Sequence, residues 1–269
     1  MCRFSAYIGT NKLLVDELII KPKDGLYERS KIANLKRRAK NADGCGLAWY
    51  DFDIDNRIGL FTSTKPLWQC NNLLNLSQKI TSNCFLGHIR AASIGEICEQ
   101  NTHPFVMDDY AMAHEGKIED FGAIRRSLIN TLDEDLFSNI KGNTDSEHLF
   151  ALIMQFLRQS PGNIIEATTK TIQWIINNQK NQTAKARLNL IIIHQHELLA
   201  TRFASTSYEA PELYFCSKQD RNQSIESLMI SSEALGIPNA TWQLCQNNHY
   251  IYCNIPKNTL EVSALNILL

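Results

Sequence analysis

The sequence predicts an α+β domain in which β-sheets pack against each other and helices cover them. Three observations lead to this fold class: strand-like apolar segments fill the first part of the chain, long helical patterns follow, and a second series of strand-like segments completes it. Because strands and helices do not alternate throughout, a doubly wound parallel sheet is disfavoured. No linker-like tract divides the 269 residues, so we expect one domain over residues 1–269.

The first part of the chain predicts an N-terminal strand, a hairpin and two further strands. Asp55 and Asn56 stand between the two arms of the hairpin, and both residue types are frequent in turns. The last of these strands ends close to a glycine of the sequence HEG. The predicted segments are residues 2–8, 46–54, 57–63, 83–93 and 110–118.

Helices are predicted in the middle of the chain, and six strands follow them. The clearest helix spans residues 145–159, where apolar residues recur on one stripe. Residues 143–146 offer capping side chains at its start, and Pro161 and Gly162 follow its end. The other predicted helices are residues 121–130 and 163–179. The predicted strands after them are residues 187–194, 197–204, 212–217, 227–233, 242–246 and 249–255.

Composition excludes several classes of function. The net charge is −1, so no strong field attracts nucleic acid or an anionic membrane, and we interpret the basic run at residues 36–40 as a solvated helix face. The sequence has neither a secretory signal pattern nor an apolar window of membrane-spanning length, which predicts a cytoplasmic protein. The eight scattered cysteines indicate reduced thiols without a metal site. No phosphate-binding glycine motif occurs, so no cofactor is expected.

Cys2 follows the initiator methionine directly, in the sequence MCRF. If Met1 is removed, the Cys2 α-amine becomes a base with a pKa of about 7.7–8.0, attached to the same residue as a nucleophilic thiol. A cysteine buried on an edge strand and a lipidated cysteine are the alternatives. From its position alone, a core cysteine is the favoured interpretation.

Three other residues are candidates for binding or catalysis. Arg90 lies in an otherwise apolar strand, where a guanidinium can grip a carboxylate with two hydrogen bonds, although an outward-facing arginine fits the pattern equally well. The backbone N–H of Gly116 can donate to an oxyanion, or this glycine only forms a turn. Asp145 can pair with an ammonium group, but a helix cap is the favoured interpretation of Asp145 alone.

The order of short motifs along the chain is more specific than any single motif. MCR, NADGCGLAWY, GHIRAAS, NTHPF, AHEGKI and NTDSE follow each other within the first 147 residues. This arrangement resembles the class II glutamine amidotransferases, which are N-terminal-nucleophile (Ntn) hydrolases. It is most similar to stand-alone members such as the γ-glutamyl amidohydrolase of ergothioneine synthesis. The resemblance covers nearly the whole chain.

The resemblance implies a four-layer αββα sandwich and a role for each matching residue. Cys2 matches the nucleophile that attacks the side-chain amide of glutamine. Arg90 matches the residue that binds the substrate α-carboxylate, and Asp145 matches the residue that binds its α-ammonium. Gly116 matches the glycine whose N–H forms half of the oxyanion hole. Ser93 stands where the family usually has a threonine near the carboxylate.

The sequence departs from the family pattern at the oxyanion hole, where Glu115 replaces an asparagine in His-Asn-Gly. An ionised glutamate cannot donate a hydrogen bond, and loss of one such donor typically costs about 10²–10³ in rate. Three outcomes follow from this replacement. Glu115 is protonated and donates, or it turns away while another donor acts, or the protein has lost its amidase activity.

We therefore predict an enzyme, an amidohydrolase that cleaves glutamine or another γ-glutamyl amide through a thioester on Cys2. No synthase domain is recognised in the chain, so the enzyme acts alone or passes ammonia to a separate synthase. The alternative is a catalytically silent protein of the same fold that binds an amino acid or has a regulatory role. Neither nucleic acid nor a membrane is expected as a partner.

Overall fold

The computed structural model describes residues 2–35, 41–92, 95–179, 184–205 and 210–268. Two antiparallel sheets pack face to face between two layers of helices, which confirms the predicted α+β sandwich. The strands are β1 (Arg3–Leu14), β2 (Cys45–Tyr50), β3 (Ile58–Ser63), β4 (Thr81–Ile89), β5 (Phe105–Met107), β6 (Tyr110–Ile118), β7 (Ala186–His194), β8 (Glu197–Arg202), β9 (Tyr214–Gln219), β10 (Ile225–Ser231), β11 (Gln243–Leu244), β12 (His249–Asn254) and β13 (Thr259–Ala264). The helices are α1 (Val15–Ile19), α2 (Leu26–Leu35), α3 (Asn71–Ser77), α4 (Phe121–Ile129), α5 (Glu134–Asn139), α6 (Asp145–Gln159) and α7 (Ile164–Asn178).

Strand order places the start of the chain in the middle of a sheet. The seven-stranded sheet has the order β11-β9-β10-β1-β4-β2-β3, and the six-stranded sheet has the order β13-β12-β8-β7-β6-β5. In the first sheet, Arg3 pairs with Ile89 of β4 and Ser5 pairs with Ser231 of β10. The residues around Cys2 are therefore held between two strands that are distant in sequence.

Three apolar layers hold the sandwich together. Between the sheets, alternate residues of β1, including Phe4 and Ile8, pack with Ile191 and Ile193 of β7. The outer face of the six-stranded sheet packs against α4, α6 and α7. The outer face of the seven-stranded sheet packs against α1 and its neighbours. Each sheet thus has one face on its partner and one face under helices, which gives the αββα order of layers.

Several element boundaries differ from the sequence-based prediction. β1 continues to Leu14 instead of ending at residue 8, because its later part pairs with the beginning of β4 after an irregular register. The hairpin arm predicted at residues 46–54 ends at Tyr50. The segment predicted at residues 242–246 contains only a two-residue strand. The structure adds helices and strands that were not predicted, namely α1, α2, α3, α5, β5 and β13.

Two expectations fall outside the described residues: the solvated helix face at residues 36–40 and the expected substrate-binding role of Ser93. Within the described part of the chain, none of the helices combines the length and the apolar character that crossing a membrane requires.

Candidate active site

Cys2 lies directly before β1 and beside the chain that leaves β4. Its Sγ accepts a hydrogen bond from the backbone N–H of Ala91 at 3.2 Å, and the Ala91 carbonyl lies 3.5 Å away as an acceptor for the thiol proton. Burial of the sulfur raises the pKa of the Cys2 thiol to about 11, against the opposing effect of the Ala91 N–H. The resting side chain is therefore a thiol at neutral pH, and a base is needed before it can attack.

Arg90 lies one residue beyond β4 and is only 2% exposed. Its backbone N–H donates to the Gly44 carbonyl at 2.8 Å, and its carbonyl accepts from Asp43 N at 3.2 Å. These bonds fix the backbone of Arg90 independently of its side chain. Burial lowers the pKa of Arg90, but a guanidinium begins with so high a pKa that it stays charged. The result is a buried cation held at a defined place.

Asp145 is the first residue of α6, yet it does not cap the helix. The capping side chain is Thr144, which accepts from Glu147 N at 3.2 Å. The Asp145 carboxylate instead accepts from Ile118 N at 2.8 Å and from Ser146 N at 2.9 Å. It is 4% exposed, so the structure presents a buried anion that links α6 to the end of β6.

Cys2, Arg90, Gly116 and Asp145 line one small cavity. The segments that supply them are far apart in sequence and meet where β1, β4, β6 and α6 converge. The cavity volume is about 20 Å³, which corresponds to about one water-sized group. The remaining residues of the lining are Ala91, Ala92, His103, His114, Thr144 and Ser146. The structure thus brings together four of the six residues named from the sequence.

Gly116 lies where a side chain has no room. A Cβ at this position would collide with the backbone carbonyl of Arg187 and would lie 2.6 Å from the His114 ring. The strand can therefore keep its pairing with β7 only if this residue is a glycine.

Two neutral histidines border the cavity and were not assigned from the sequence. The Nδ1 atom of His114 lies 2.8 Å from Ser146 Oγ, and its Nε2 lies 2.9 Å from the Arg187 carbonyl. Because a carbonyl only accepts, Nε2 carries the proton and Nδ1 accepts from the serine. His103 stacks on His88 with ring centroids 4.4 Å apart, and burial lowers the pKa of both. Their positions in NTHPF and AHEGKI were the only sequence signal.

Glu115 lies on the opposite face of β6 from His114 and Gly116, as the alternation of a strand requires. Its side chain is fully buried and lines a second cavity of about 330 Å³. There it forms an ion pair with Arg3 and accepts from Ser232 Oγ at 2.6 Å. Burial raises the pKa of Glu115 to about 7, while Arg3 and Ser232 act in the other direction. Glu115 is not among the residues that line the Cys2 cavity.

The described residues hold no cluster of three or more His, Cys, Asp or Glu side chains that suits a metal ion. All eight cysteines are free thiols. The reactive and charged groups that line the Cys2 cavity include one thiol, one buried guanidinium and one buried carboxylate.

Comparison with known proteins gives consistent results at the level of sequence. The family profile described as glutamine amidotransferases class II matches residues 27–247. The probable glutamine amidotransferase DUG3 of Saccharomyces cerevisiae is 28% identical over 97% of this chain and 83% of its own length. The γ-glutamyl-hercynylcysteine sulfoxide hydrolase of Mycolicibacterium smegmatis is 28% identical over 77% of this chain and 81% of its own length.

Solved structures share the fold. A glutamine aminotransferase class-II domain protein from Silicibacter pomeroyi superposes with a TM-score of 0.68 at 20% identity, over 98% of this chain and 99% of the other. The glutamine phosphoribosylpyrophosphate amidotransferase of B. subtilis gives a TM-score of 0.65 at 12% identity, over all of this chain and 50% of the other.

Proposed function

Because the chain belongs to the class II glutamine amidotransferases, we propose that it hydrolyses a γ-glutamyl amide through a thioester on Cys2. The observation that carries this proposal is the single cavity lined by Cys2, Arg90, Gly116 and Asp145. The family match begins at residue 27, so the role of Cys2 depends on this geometry and on the sequence motif MCR.

The substrate class follows from the two buried charges. An α-amino acid head carries one carboxylate and one ammonium group, and Arg90 and Asp145 offer the matching cation and anion. The main chain of Arg90 and the carboxylate of Asp145 are held by backbone contacts. The cavity between them, of about 20 Å³, has to widen before an amino acid enters. A head fixed in this way directs its side-chain amide towards Cys2, and such positioning supplies a large part of the rate gain. Glutamine and γ-glutamyl amides carry that head.

The nucleophile is activated by its own amino group. After removal of Met1, the Cys2 α-amine takes the thiol proton, and the thiolate forms a bond to the δ-carbonyl carbon. The N–H of Gly116 donates to the resulting oxyanion. The ammonium then returns its proton to the leaving nitrogen as the C–N bond breaks. Water attacks the thioester carbonyl in the second half of the reaction and releases glutamate and the thiol.

The alternative, a catalytically silent binding protein, rests on Glu115. Its carboxylate is already engaged by Arg3 and Ser232 and lines a different cavity, which weakens the objection that it repels an oxyanion beside Cys2. The proposal therefore requires no proton on Glu115. A second donor to the oxyanion would come from another group of the cavity.

The test combines mass spectrometry with a glutamate-release assay on L-glutamine and on a γ-glutamyl anilide. The intact mass should lack the initiator methionine, and the wild type should release glutamate. Cys2→Ala and Cys2→Ser should abolish release while the circular dichroism spectrum stays unchanged. Cys98→Ala is the matched control, because Cys98 is half-buried like Cys2 but does not line the cavity.

Three results separate the alternatives. Retained Met1 together with turnover would contradict the α-amine mechanism. A folded wild type that binds glutamine but releases no glutamate would favour the silent protein. Free ammonia equal to the glutamate released would indicate a stand-alone hydrolase, whereas glutamine turnover that requires an added synthase would indicate an ammonia-transferring partner.

A further inference from the structure

Glu115 connects the two sheets beside the nucleophile segment, which consists of Cys2 and the first residues of β1, Arg3 and Phe4. It lies on β6 of the six-stranded sheet, whereas both of its side-chain partners belong to the chain around the seven-stranded sheet. A fully buried carboxylate is costly unless charge and hydrogen bonds compensate it. Here both oxygens have partners, and these partners bond to the main chain of Cys2 and of Phe4.

The first connection runs through Arg3. Its Nη1 donates to Glu115 and also to the backbone carbonyl of Cys2 at 2.9 Å. Its Nε donates to Glu233 at 3.0 Å. One guanidinium nitrogen thus joins the Glu115 carboxylate to the main chain of the nucleophile residue.

The second connection runs through Ser232. Its Oγ donates to the second oxygen of Glu115 at 2.6 Å and accepts from Phe4 N at 3.1 Å. The Ser232 N–H donates in turn to the Phe4 carbonyl at 3.1 Å. One carboxylate oxygen of Glu115 is therefore bound to Arg3, and the other is linked to Phe4 through Ser232.

We propose that Glu115 is a positioning residue, which acts through Arg3 and Ser232 to hold the Cys2 main chain so that its sulfur and amine stay over the catalytic cavity. This inference rests on the proposed function of Cys2. Glu115 is the residue that departs from the family pattern. An asparagine would fill this positioning role less well, because it has no charge to pair with Arg3.

The charge of Glu115 also acts on the reacting groups. Its proximity raises the pKa of the Cys2 thiol, after the larger effect of burial. The other charged or titratable groups that line the Cys2 cavity are Arg90, His103, His114 and Asp145. Those that line the Glu115 cavity are Arg3, Arg187, Arg202, Glu212 and Glu233. Loss of the Glu115 charge should lower the thiol pKa while these groups remain.

The experiment uses the full chain and the variant Glu115→Gln, with two readouts. The first is kcat and KM for L-glutamine. We expect kcat to fall about 10- to 100-fold, because small misplacements of reacting groups have effects of that size, and KM to stay within about twofold, since Arg90 and Asp145 are untouched. The second is the pH dependence of Cys2 alkylation by iodoacetamide, followed by peptide mass spectrometry. Its midpoint should move to lower pH, because alkylation follows the thiolate.

Glu212→Gln is the matched control, since Glu212 lines the same cavity without contacting Arg3 or Ser232. It should leave both readouts unchanged. If Glu115→Gln does not fold, Ser232→Ala removes only one of the two connections and should still lower kcat by severalfold. The proposal is overturned if the folded variants keep the wild-type kcat, if the alkylation midpoint does not move, or if Glu212→Gln has the same effects.

Failure of the proposed function gives a different result. A wild type that releases no glutamate, or a Cys2→Ala variant that still does, refutes the function. The alkylation midpoint of Glu115→Gln decides in either case whether Glu115 acts on the nucleophile segment.

Discussion

Replacement of Arg90 by lysine tests the carboxylate clamp, the proposed binding of the substrate α-carboxylate by the Arg90 guanidinium. The variant keeps a cation in the cavity. The side chain is only 2% exposed, and the backbone is fixed by Gly44 and Asp43, so the substitution changes mainly the geometry of the donors. A guanidinium can donate two parallel hydrogen bonds to a carboxylate, whereas an ammonium acts as a point charge. The variant therefore loses one charge-assisted hydrogen bond in the bound state.

The size of the effect follows from that loss. A hydrogen bond to a charged group contributes about 1.5–3 kcal/mol, which corresponds to a decrease of about 10- to 150-fold in kcat/KM. The assay compares glutamine with 4-aminobutanamide, which lacks the α-carboxylate. The preference of the wild type for glutamine should shrink in Arg90→Lys by the same factor, because only glutamine uses the clamp.

Arg158→Lys is the control, since Arg158 forms surface ion pairs with Asp133 and Asp135 and does not line the cavity. It should behave like the wild type. Equal losses on both substrates in Arg90→Lys, or no loss on either, would refute the assignment of Arg90 to the carboxylate.

Three further predictions concern other residues of the site. Asp145→Asn should raise KM for glutamine about tenfold or more, with little effect on an analogue that lacks the α-amine, because the substitution removes the charge that pairs with the ammonium. Gly116→Ala should lower the free energy of unfolding by about 1–3 kcal/mol and abolish turnover, because its Cβ collides with the Arg187 carbonyl. The control is Gly122→Ala, whose Cβ meets nothing within 4 Å. Thermal unfolding should show this variant to be as stable as the wild type or more stable. Burial raises the pKa of Glu115 to about 7, whereas an unfolded glutamate titrates at about 4.3, so unfolding releases a proton between these pH values. The free energy of unfolding should therefore fall as the pH rises from about 4.3 to about 7. Urea titrations should show a weaker pH dependence of this free energy in Glu115→Gln than in the wild type, and an equal slope would contradict the raised pKa.

The sequence predicted much of the fold because its longest elements have clear periodicity. Helix α6 and the strands β6 and β7 were found at nearly their observed positions, whereas β1 was predicted six residues too short. The elements that were missed have weak local signals. Helix α1 has only five residues and α3 has seven, and the apolar residues of α2 do not form a continuous stripe. Their helical structure depends on packing against the outer face of the sheet, which no local pattern reveals.

Part of the candidate site was also within reach of the sequence. Cys2, Arg90, Gly116 and Asp145 stood in ordered motifs, and their meeting in one cavity was expected from the family resemblance. The position of Glu115 on the other face of its strand follows from the alternation of side chains alone. Its partners do not, because Arg3 and Ser232 come together only through the pairing of β1 with β10. The contacts of His103 and His114 likewise depend on tertiary packing.

The central position of β1 sets an order of events during biosynthesis. Its partner β10 begins at Ile225, so the ribosome must add more than two hundred residues before the second neighbour of β1 exists. At about 5–20 residues per second this takes roughly 10–45 s. During that interval one edge of β1 has no partner strand. If Met1 is removed as proposed, we therefore expect its removal to be cotranslational and complete before β10 pairs with β1.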